Sequence, residues 1–304
     1  MKRSSVKKKK ISEAITGWLF IAPLCIGMLL FLAFPLVYAI VIAFTSFNGF
    51  DQSTFKFVGF DNFVRVFNDS EFWYGMRNVM LSCLGVPIGV ALALILTNIL
   101  VSNPKCSIVF KSIYYVPTIC GAVAITFIWK WLYFPSDNGL INSILTTLFG
   151  CKPITFISRE NFIPSMMVMG IWSGMGVSVL LIYASLKGVN KQLFEAASID
   201  GANFLQKFWY ITIPAVSPTL FYILITGISG NMQEYARFSI MGGNNALDWN
   251  VTPVWAIVGY VQGSGGKPFE AAYACSMGLV LGVFILIVSA IQFVVSKYWV
   301  NYDS

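Results

Sequence analysis

The chain has 304 residues, of which 57% are hydrophobic and 11% charged, and its formal net charge is +7. Its mean hydropathy of +0.73 excludes a water-soluble globule, because soluble domains average roughly 25% charged residues. The composition therefore predicts a membrane protein. Six of the 20 basic residues lie in the first ten positions and the others are spread between apolar runs, which argues against a nucleic-acid-binding surface.

The chain begins with a basic segment, residues 1–15, followed by an apolar run over residues 16–44. Lysines clustered ahead of an apolar run are typical of a cytoplasmic anchor that contacts anionic membrane lipid. The run is about twice as long as a signal-peptide core of roughly 7–15 residues. We therefore expect it to remain as a transmembrane helix, kinked at Pro23 and Pro35, within a single transmembrane domain over residues 16–304.

Several apolar runs are long enough to cross a bilayer, which takes about 20 helical residues. The predicted spans are residues 16–44, 78–100, 109–133, 162–186, 214–240 and 269–296. Two spans carry GxxxG pairs, Gly85 with Gly89 and Gly278 with Gly282, and such pairs permit close approach of helices. The sequence thus predicts an all-α, multi-pass membrane protein with six transmembrane helices.

The distribution of basic residues predicts the orientation of these spans. Six spans place both termini on one side, and that side collects 12 of the 20 lysines and arginines, whereas the other side collects 6. Cytoplasmic loops are enriched in Lys and Arg. Both termini and the loop between the fourth and fifth spans are therefore expected to face the cytoplasm.

The sequence contains few of the residue groups that support catalysis. There is no histidine, and none of the HExxH, GxSxG and P-loop patterns occurs. The six cysteines form no CxxC pair, so neither a metal site nor a disulfide framework is predicted. We expect no catalytic residues, metal or cofactor in this chain, and any use of ATP must come from a partner chain.

The longest polar interruption in the second half of the chain is residues 191–218, KQLFEAASIDGANFLQKFWYITIPAVSP. The pattern predicts a short helix over 192–199, a turn at Gly201 and a second short helix over 202–213. Pro214 then opens the fifth span, a position that tolerates its missing N–H. The segment is expected to lie at the membrane surface as a helix–turn–helix.

The order of residues in this segment resembles the EAA loop of permease subunits from binding-protein-dependent ABC importers. The resemblance is to the carbohydrate-uptake branch, the maltose- and glycerol-3-phosphate-type permeases, although Ile213 stands where leucine is commoner. It implies a location in the cell membrane and assembly with a second homologous permease subunit and two cytoplasmic ATP-binding subunits. It also implies an extracytoplasmic solute-binding protein that delivers a carbohydrate to this chain. The residues that would couple this chain to the ATPase subunits are Glu195, Ala196, Ala197, Asp200, Gly201, Ala202 and Pro214.

Polar groups inside a membrane are costly and are often functional. The fifth span carries the densest set, and Asn231, Glu234 and Tyr235 would share one face of a continuous helix. The resemblance implies that the positions of Asn231 and Glu234, which are asparagines in maltose-type permeases, contact the sugar. The alternative from the residues alone is that Glu234 pairs with Arg237, three residues on.

Two further residues are candidates for the solute site. Trp172, in the fourth span, is expected to stack on the apolar face of a sugar ring, and Thr118, in the third, matches the region that lines the site in the resembled subunits. An ion-coupled secondary transporter using Glu234 remains the alternative function. A membrane-embedded enzyme is disfavoured because the sequence shows no intramembrane catalytic pair.

Overall fold

The computed structural model describes residues 2–102, 118, 120–136, 138–243 and 246–301. The regular secondary structure of this part of the chain is helical, apart from an isolated β-bridge between Thr45 and Phe57. The α-helices are α1 (Lys2–Met28), α2 (Phe34–Ala43), α3 (Asp61–Asn68), α4 (Ser70–Cys83), α5 (Gly85–Ser102), α6 (Ala122–Leu132), α7 (Leu140–Phe149), α8 (Phe162–Gly188), α9 (Lys191–Ile199), α10 (Phe204–Lys207), α11 (Ile213–Met232), α12 (Ala236–Gly242), α13 (Pro253–Gln262) and α14 (Ala271–Ser296).

Among the described residues, five helical stretches are long and apolar enough to cross a membrane. They are Ile15–Ala43, Ser70–Val101, Phe162–Gly188, Phe204–Met232 and Ala271–Ser296. Most of the first half of the predicted third span, 109–133, lies outside the described residues. Its described part forms α6, which at 11 residues is shorter than the bilayer requires.

Two of the long helices contain a wide π-turn directly before a proline. The N–H of Phe34 donates to the carbonyl of Leu29, five residues back, and Pro35 follows. In the same way the N–H of Ile213 donates to the carbonyl of Phe208, and Pro214 follows. A proline ring collides with the carbonyl four residues before it. The π-turn displaces that carbonyl, so the helix passes the proline without ending.

A third proline separates α4 from α5. Pro87 has no N–H to offer the carbonyl of Cys83, four residues back. The helix tightens at this point, where the N–H of Leu84 donates to the carbonyl of Leu81 over 3.1 Å. The predicted second span is therefore two helices, and it begins earlier than expected because Asp69 caps α4 through the N–H groups of Glu71 and Phe72.

The interior of the bundle is built where α5 crosses α8. A β-carbon at Gly85 would lie 3.3 Å from Cβ of Met167, and one at Gly89 would lie 3.6 Å from the Ile171 side chain. Glycines at these two positions let the two helices approach closely, as the first GxxxG pair predicted. The second pair, Gly278 and Gly282, has no described atom within 4 Å of either added β-carbon.

Ionic and aromatic contacts join α3, α4 and α14 at one end of the bundle. Arg65 Nη1 lies 2.5 Å from Glu270 Oε2, and its guanidinium stacks 3.8 Å above the centre of the Tyr273 ring. The hydroxyl of Tyr273 donates to Asp69 over 2.8 Å. These contacts hold α3, α4 and α14 together at this end of the bundle.

Candidate functional site

The helix that carries the densest polar set ends earlier than the hydropathy predicts. α11 stops at Met232, where the N–H of Gln233 donates back to the carbonyl of Gly230, and α12 begins only at Ala236. The expectation of one continuous helix to residue 240 was wrong. Glu234 and Tyr235 lie in the break, so they do not share a helical face with Asn231.

A cavity of about 480 Å³ lies beside this break. Its walls come from α4, α5, α6, α8, α11 and the beginning of α12 and consist mainly of small or apolar residues. Gly170, Gly174 and Gly230 lie on the wall together with Ser173 and Ser178. No other described atom lies within 4 Å of a β-carbon added to Gly174 or Gly230, so these glycines leave space open inside the cavity.

The polar end of the cavity is formed by Asn231, Glu234 and Arg237. The break after Met232 brings all three side chains to the same wall although they do not share one helix. The Oδ1 atom of Asn231 is buried and accepts no hydrogen bond from any described residue. Buried polar atoms are nearly always paired, so this unpaired oxygen on a cavity wall is an exception.

Glu234 and Arg237 form the ion pair that the sequence left as an alternative. Arg237 Nε donates to Glu234 Oε2 over 2.6 Å, and Nη2 of the same guanidinium contacts that oxygen as well. The backbone N–H of Arg237 donates to Glu234 Oε1 over 3.1 Å. The pair remains in contact with the cavity, since the side chains of Glu234 and Arg237 are 15% and 21% exposed.

The structure does not place the other predicted solute-binding residues on the cavity wall. Trp172 packs edge to face against Trp129, with ring centres 5.7 Å apart, in an apolar cluster that includes Phe162 and Phe238. Tyr235 and Thr118 are absent from the described lining. The sequence missed Arg237 and the wall glycines as cavity residues, although the run of glycines in the fourth span was visible.

A second cavity, of about 370 Å³, lies towards the beginning of α8. Its lining includes Arg77, Arg159 and Trp249, and Asp248 holds the two arginines: its carbonyl accepts from Arg77 and its carboxylate from Arg159. Met167 lines both this cavity and the larger one. The two cavities therefore meet at the Met167 side chain.

The EAA-like segment lies at the opposite end of α8. α9 begins with an Asn190 cap, whose side chain accepts from the N–H of Gln192, and it ends ahead of Gly201, which has φ +78°. The N–H of Ala202 donates to the carbonyl of Ala197 over 2.8 Å, which closes the helix end as a left-handed glycine allows. The predicted first helix and turn are both present.

The second helix of the segment differs from the prediction. It begins at Phe204, behind a capping box formed by Asn203 and Gln206, and continues through the π-turn into α11. It is thus the start of the long helix Phe204–Met232, not a separate helix over 202–213. Lys207 Nζ donates to Ser198 Oγ over 2.7 Å, which ties the two arms of the segment together.

The predicted coupling residues of this segment are mostly accessible. Glu195, Ala196, Asp200 and Gly201 are exposed, whereas Ala197, Ala202 and Pro214 are half-buried. Ile199, beside them, has 87% of its surface exposed. The segment is therefore accessible to another chain.

Fold and cavity together define a polytopic membrane protein with a cavity among its helices, polar at one end, and with an exposed helical segment at one end of the bundle. The chain belongs to the family described as "binding-protein-dependent transport system inner membrane component", which matches residues 75–299. The match includes both cavities and the EAA-like segment. The family identifies the chain as a membrane-embedded transport component, as the sequence predicted, and not as an enzyme.

Individual relatives cover nearly the whole chain. The probable ABC transporter permease protein YesP of Bacillus subtilis is 28% identical over 100% of this chain and 96% of its own. The arabinooligosaccharides transport system permease protein AraP of the same species is 29% identical over 96% and 91%. A solved chain of a bacterial ABC transporter for import of the acidic polysaccharide alginate superposes with a TM-score of 0.80, at 23% identity, over 96% and 99%.

The family and the geometry both weigh against the ion-coupled alternative. Glu234 would have to exchange a proton or bind a sodium ion, yet both of its carboxylate oxygens are already engaged by Arg237. A binding-protein-dependent system also takes its solute from a delivery protein. Neither observation supports Glu234 as an ion-coupling carboxylate.

Proposed function

We propose that this chain is a permease subunit of an ATP-driven importer and that its cavity is part of the translocation pathway for a carbohydrate. The observation that carries the proposal is the buried, unpaired Asn231 Oδ1 in a cavity of about 480 Å³. Small-molecule sites typically have volumes of about 300–1,000 Å³. A sugar hydroxyl donates a hydrogen bond to such an oxygen and accepts one from a neighbouring donor.

The names of several relatives support a carbohydrate. AraP is named for arabinooligosaccharides, and other relatives of similar identity are named for lactose and for diacetylchitobiose. The cavity chemistry agrees with these names, because its wall combines apolar surface with hydroxyl and amide groups. Sugars present the same combination, since C–H faces alternate with hydroxyl edges.

In the proposed complex, this chain has six spans and cytoplasmic termini. It assembles with a second homologous permease, two ATP-binding subunits and an extracytoplasmic solute-binding protein. The ATP-binding subunits contact residues 191–207, and the binding protein delivers solute at the end where Arg159 and Trp249 lie. Membrane lipid surrounds the apolar outer faces, most of all α1 and α2, whose large apolar side chains are exposed.

The long helix Phe204–Met232 links the two ends of this mechanism. Its first turn belongs to the EAA-like segment and its last turn carries Asn231. α11 alone has 20 residues, which corresponds to about 30 Å. Movement of the ATP-binding subunits would be transmitted along this helix to the cavity. The cavity would then shift between a state open to the cytoplasm and a state open to the outside, as alternating access requires.

The test is reconstitution. The chain is co-purified with its partner permease, ATP-binding subunits and binding protein, and the complex is placed in proteoliposomes. Labelled oligosaccharides should accumulate on the side of the ATP-binding subunits only with ATP and binding protein present. Accumulation driven by a proton or sodium gradient without ATP would contradict the proposal.

A further inference from the structure

The charge inside the larger cavity is balanced within the chain. Among the described residues that line it, Glu234 and Arg237 are the only ones with charged side chains, and they neutralise each other. The cavity therefore combines a net charge of zero with a partly buried setting. Any charged solute would introduce an uncompensated charge there, which low-polarity surroundings disfavour.

The hydrogen bonds of the pair determine which groups remain available to a solute. Glu234 Oε2 accepts from Nε and contacts Nη2 of Arg237, and Oε1 accepts from the Arg237 backbone. The other terminal nitrogen, Nη1, bonds to no described residue and lies 3.4 Å from where a β-carbon on Gly170 would be. A guanidinium has five donors in a fixed plane, so fixing one edge on Glu234 directs Nη1 into the cavity.

We propose that Arg237 contacts the solute, that Glu234 positions and neutralises Arg237, and that the cavity therefore selects uncharged glycosides over uronate-containing ones. This inference rests on the proposed function and names its substrate class. A hydroxyl group of a neutral sugar donates a hydrogen bond to Asn231 Oδ1, and a sugar oxygen accepts a hydrogen bond from Arg237 Nη1. A uronate carboxylate would instead compete with Glu234 for the guanidinium of Arg237. Glu234 has the advantage, because it belongs to the same chain and is three residues away.

The test compares neutral with acidic solutes in the reconstituted importer. Oligosaccharides released from pectin and hemicellulose are labelled, separated by anion exchange into neutral and uronate-containing fractions, and supplied at equal concentration. The wild-type complex should accumulate the neutral fraction. Glu234→Gln keeps the size of the side chain but leaves Arg237 uncompensated, so the ratio of acidic to neutral uptake should rise at least tenfold.

Two further variants separate a solute contact from a structural role. Arg237→Lys keeps the charge but loses the Nη1 donor directed into the cavity, so uptake of the neutral fraction should fall at least tenfold at equal assembly. Glu13→Gln makes the same chemical change at an exposed position on α1, and its uptake ratio should match wild type. If Glu234→Gln does not assemble, Arg237→Lys alone decides whether Arg237 contacts the solute.

Four outcomes would overturn the inference. A wild-type complex that prefers the acidic fraction contradicts selection for neutral solutes while leaving carbohydrate import intact. An unchanged ratio in assembled Glu234→Gln, or unchanged neutral uptake in Arg237→Lys, contradicts the roles given to the pair. Uptake of neither fraction, with ATP and binding protein present, overturns the proposed function and this inference with it.

Discussion

Met167 packs against Gly85 at the place where the two cavities meet. A β-carbon on Gly85 would lie 3.3 Å from Cβ and 3.4 Å from Cγ of Met167, and Met167 lines both cavities. The contact lies one residue after the break at Leu84 that Pro87 produces. A long, unbranched side chain beside a helix break is well suited to moving aside, so this contact separates the cavities in the observed conformation.

Shortening Met167 should open the passage between the cavities. In a chain freed of its native cysteines, Ser173→Cys places a thiol on the wall of the larger cavity. Met167→Ala should increase the rate at which an impermeant thiol reagent, added from the Arg159 side, labels that cysteine. The measurement is the labelling rate in the purified complex without ATP, and we expect a severalfold increase.

The neighbouring residue supplies the control for this experiment. Val168 is on the same helix but has 53% of its surface exposed on the outside of the bundle. Val168→Ala removes a similar amount of side chain and should leave the labelling rate unchanged. An equal rate in Met167→Ala and Val168→Ala would show that Met167 does not separate the cavities.

A β-carbon at Gly201 should strain the backbone. Its φ of +78° is a left-handed conformation that costs other residues about 1–2 kcal/mol, although no atom lies close enough to collide. Gly201→Ala should therefore weaken binding of the ATP-binding subunits and lower ATP-driven uptake. Co-purification yield and uptake measure the two effects.

Gly188 is the matched control for Gly201. It lies in the last turn of α8, close to the same segment, and nothing is within 4 Å of its added β-carbon. Since its φ is not positive, Gly188→Ala should keep wild-type assembly and uptake. If both variants behave alike, the left-handed turn does not hold the segment in shape.

The helix α4 should depend on Gly75 for its contact with α13. A β-carbon at Gly75 would lie 2.6 Å from the carbonyl carbon of Thr252 and 2.7 Å from the nitrogen of Pro253, and backbone atoms cannot rotate away. Overpacking of this kind typically costs about 1–3 kcal/mol. Gly75→Ala should lower the thermal midpoint of the detergent-solubilised chain, whereas Gly278→Ala, with no atom within 4 Å, should not.

Hydropathy and spacing were sufficient to predict the helical class, most helix positions and a close helix approach at Gly85, but not which helix packs there. They were insufficient at the end of the fifth span. Residues 231–240 contain neither glycine nor proline, so nothing local marks the break after Met232. α12 starts where the N–H of Arg237 donates to the Glu234 side chain, and glutamate is not among the residue types whose presence predicts a helix cap.

The candidate site was predicted in part for the same reason. Asn231 and Glu234 do line one cavity, but through the break and not through a shared helical face. Trp172 was predicted as a stacking residue because aromatic rings suit sugars, and its edge-to-face contact with Trp129 engages it in packing instead. Residue type alone does not distinguish an aromatic on a cavity wall from one behind it.

Orientation in the membrane is testable by thiol labelling in intact cells. Ser264 lies in an exposed loop after α13, and Lys191 lies at the exposed start of α9. Each is replaced by cysteine, as Ser264→Cys and Lys191→Cys, in a chain without native cysteines. An impermeant reagent added outside should label only Ser264→Cys, and permeabilised cells should label both. Labelling of Lys191→Cys in intact cells would reverse the orientation and exclude contact with cytoplasmic ATP-binding subunits.

The central claim is that a carbohydrate passes through the cavity beside Asn231, and uptake by an Asn231 variant tests it most directly. Asn231→Ala removes the unpaired acceptor, leaving a solute hydroxyl without its partner at a cost of about 1–3 kcal/mol. ATP-driven uptake in proteoliposomes should fall about tenfold or more at normal assembly and basal ATP hydrolysis, while Tyr222→Ala, on the exposed face of α11, should transport normally. Wild-type uptake by Asn231→Ala would contradict the account.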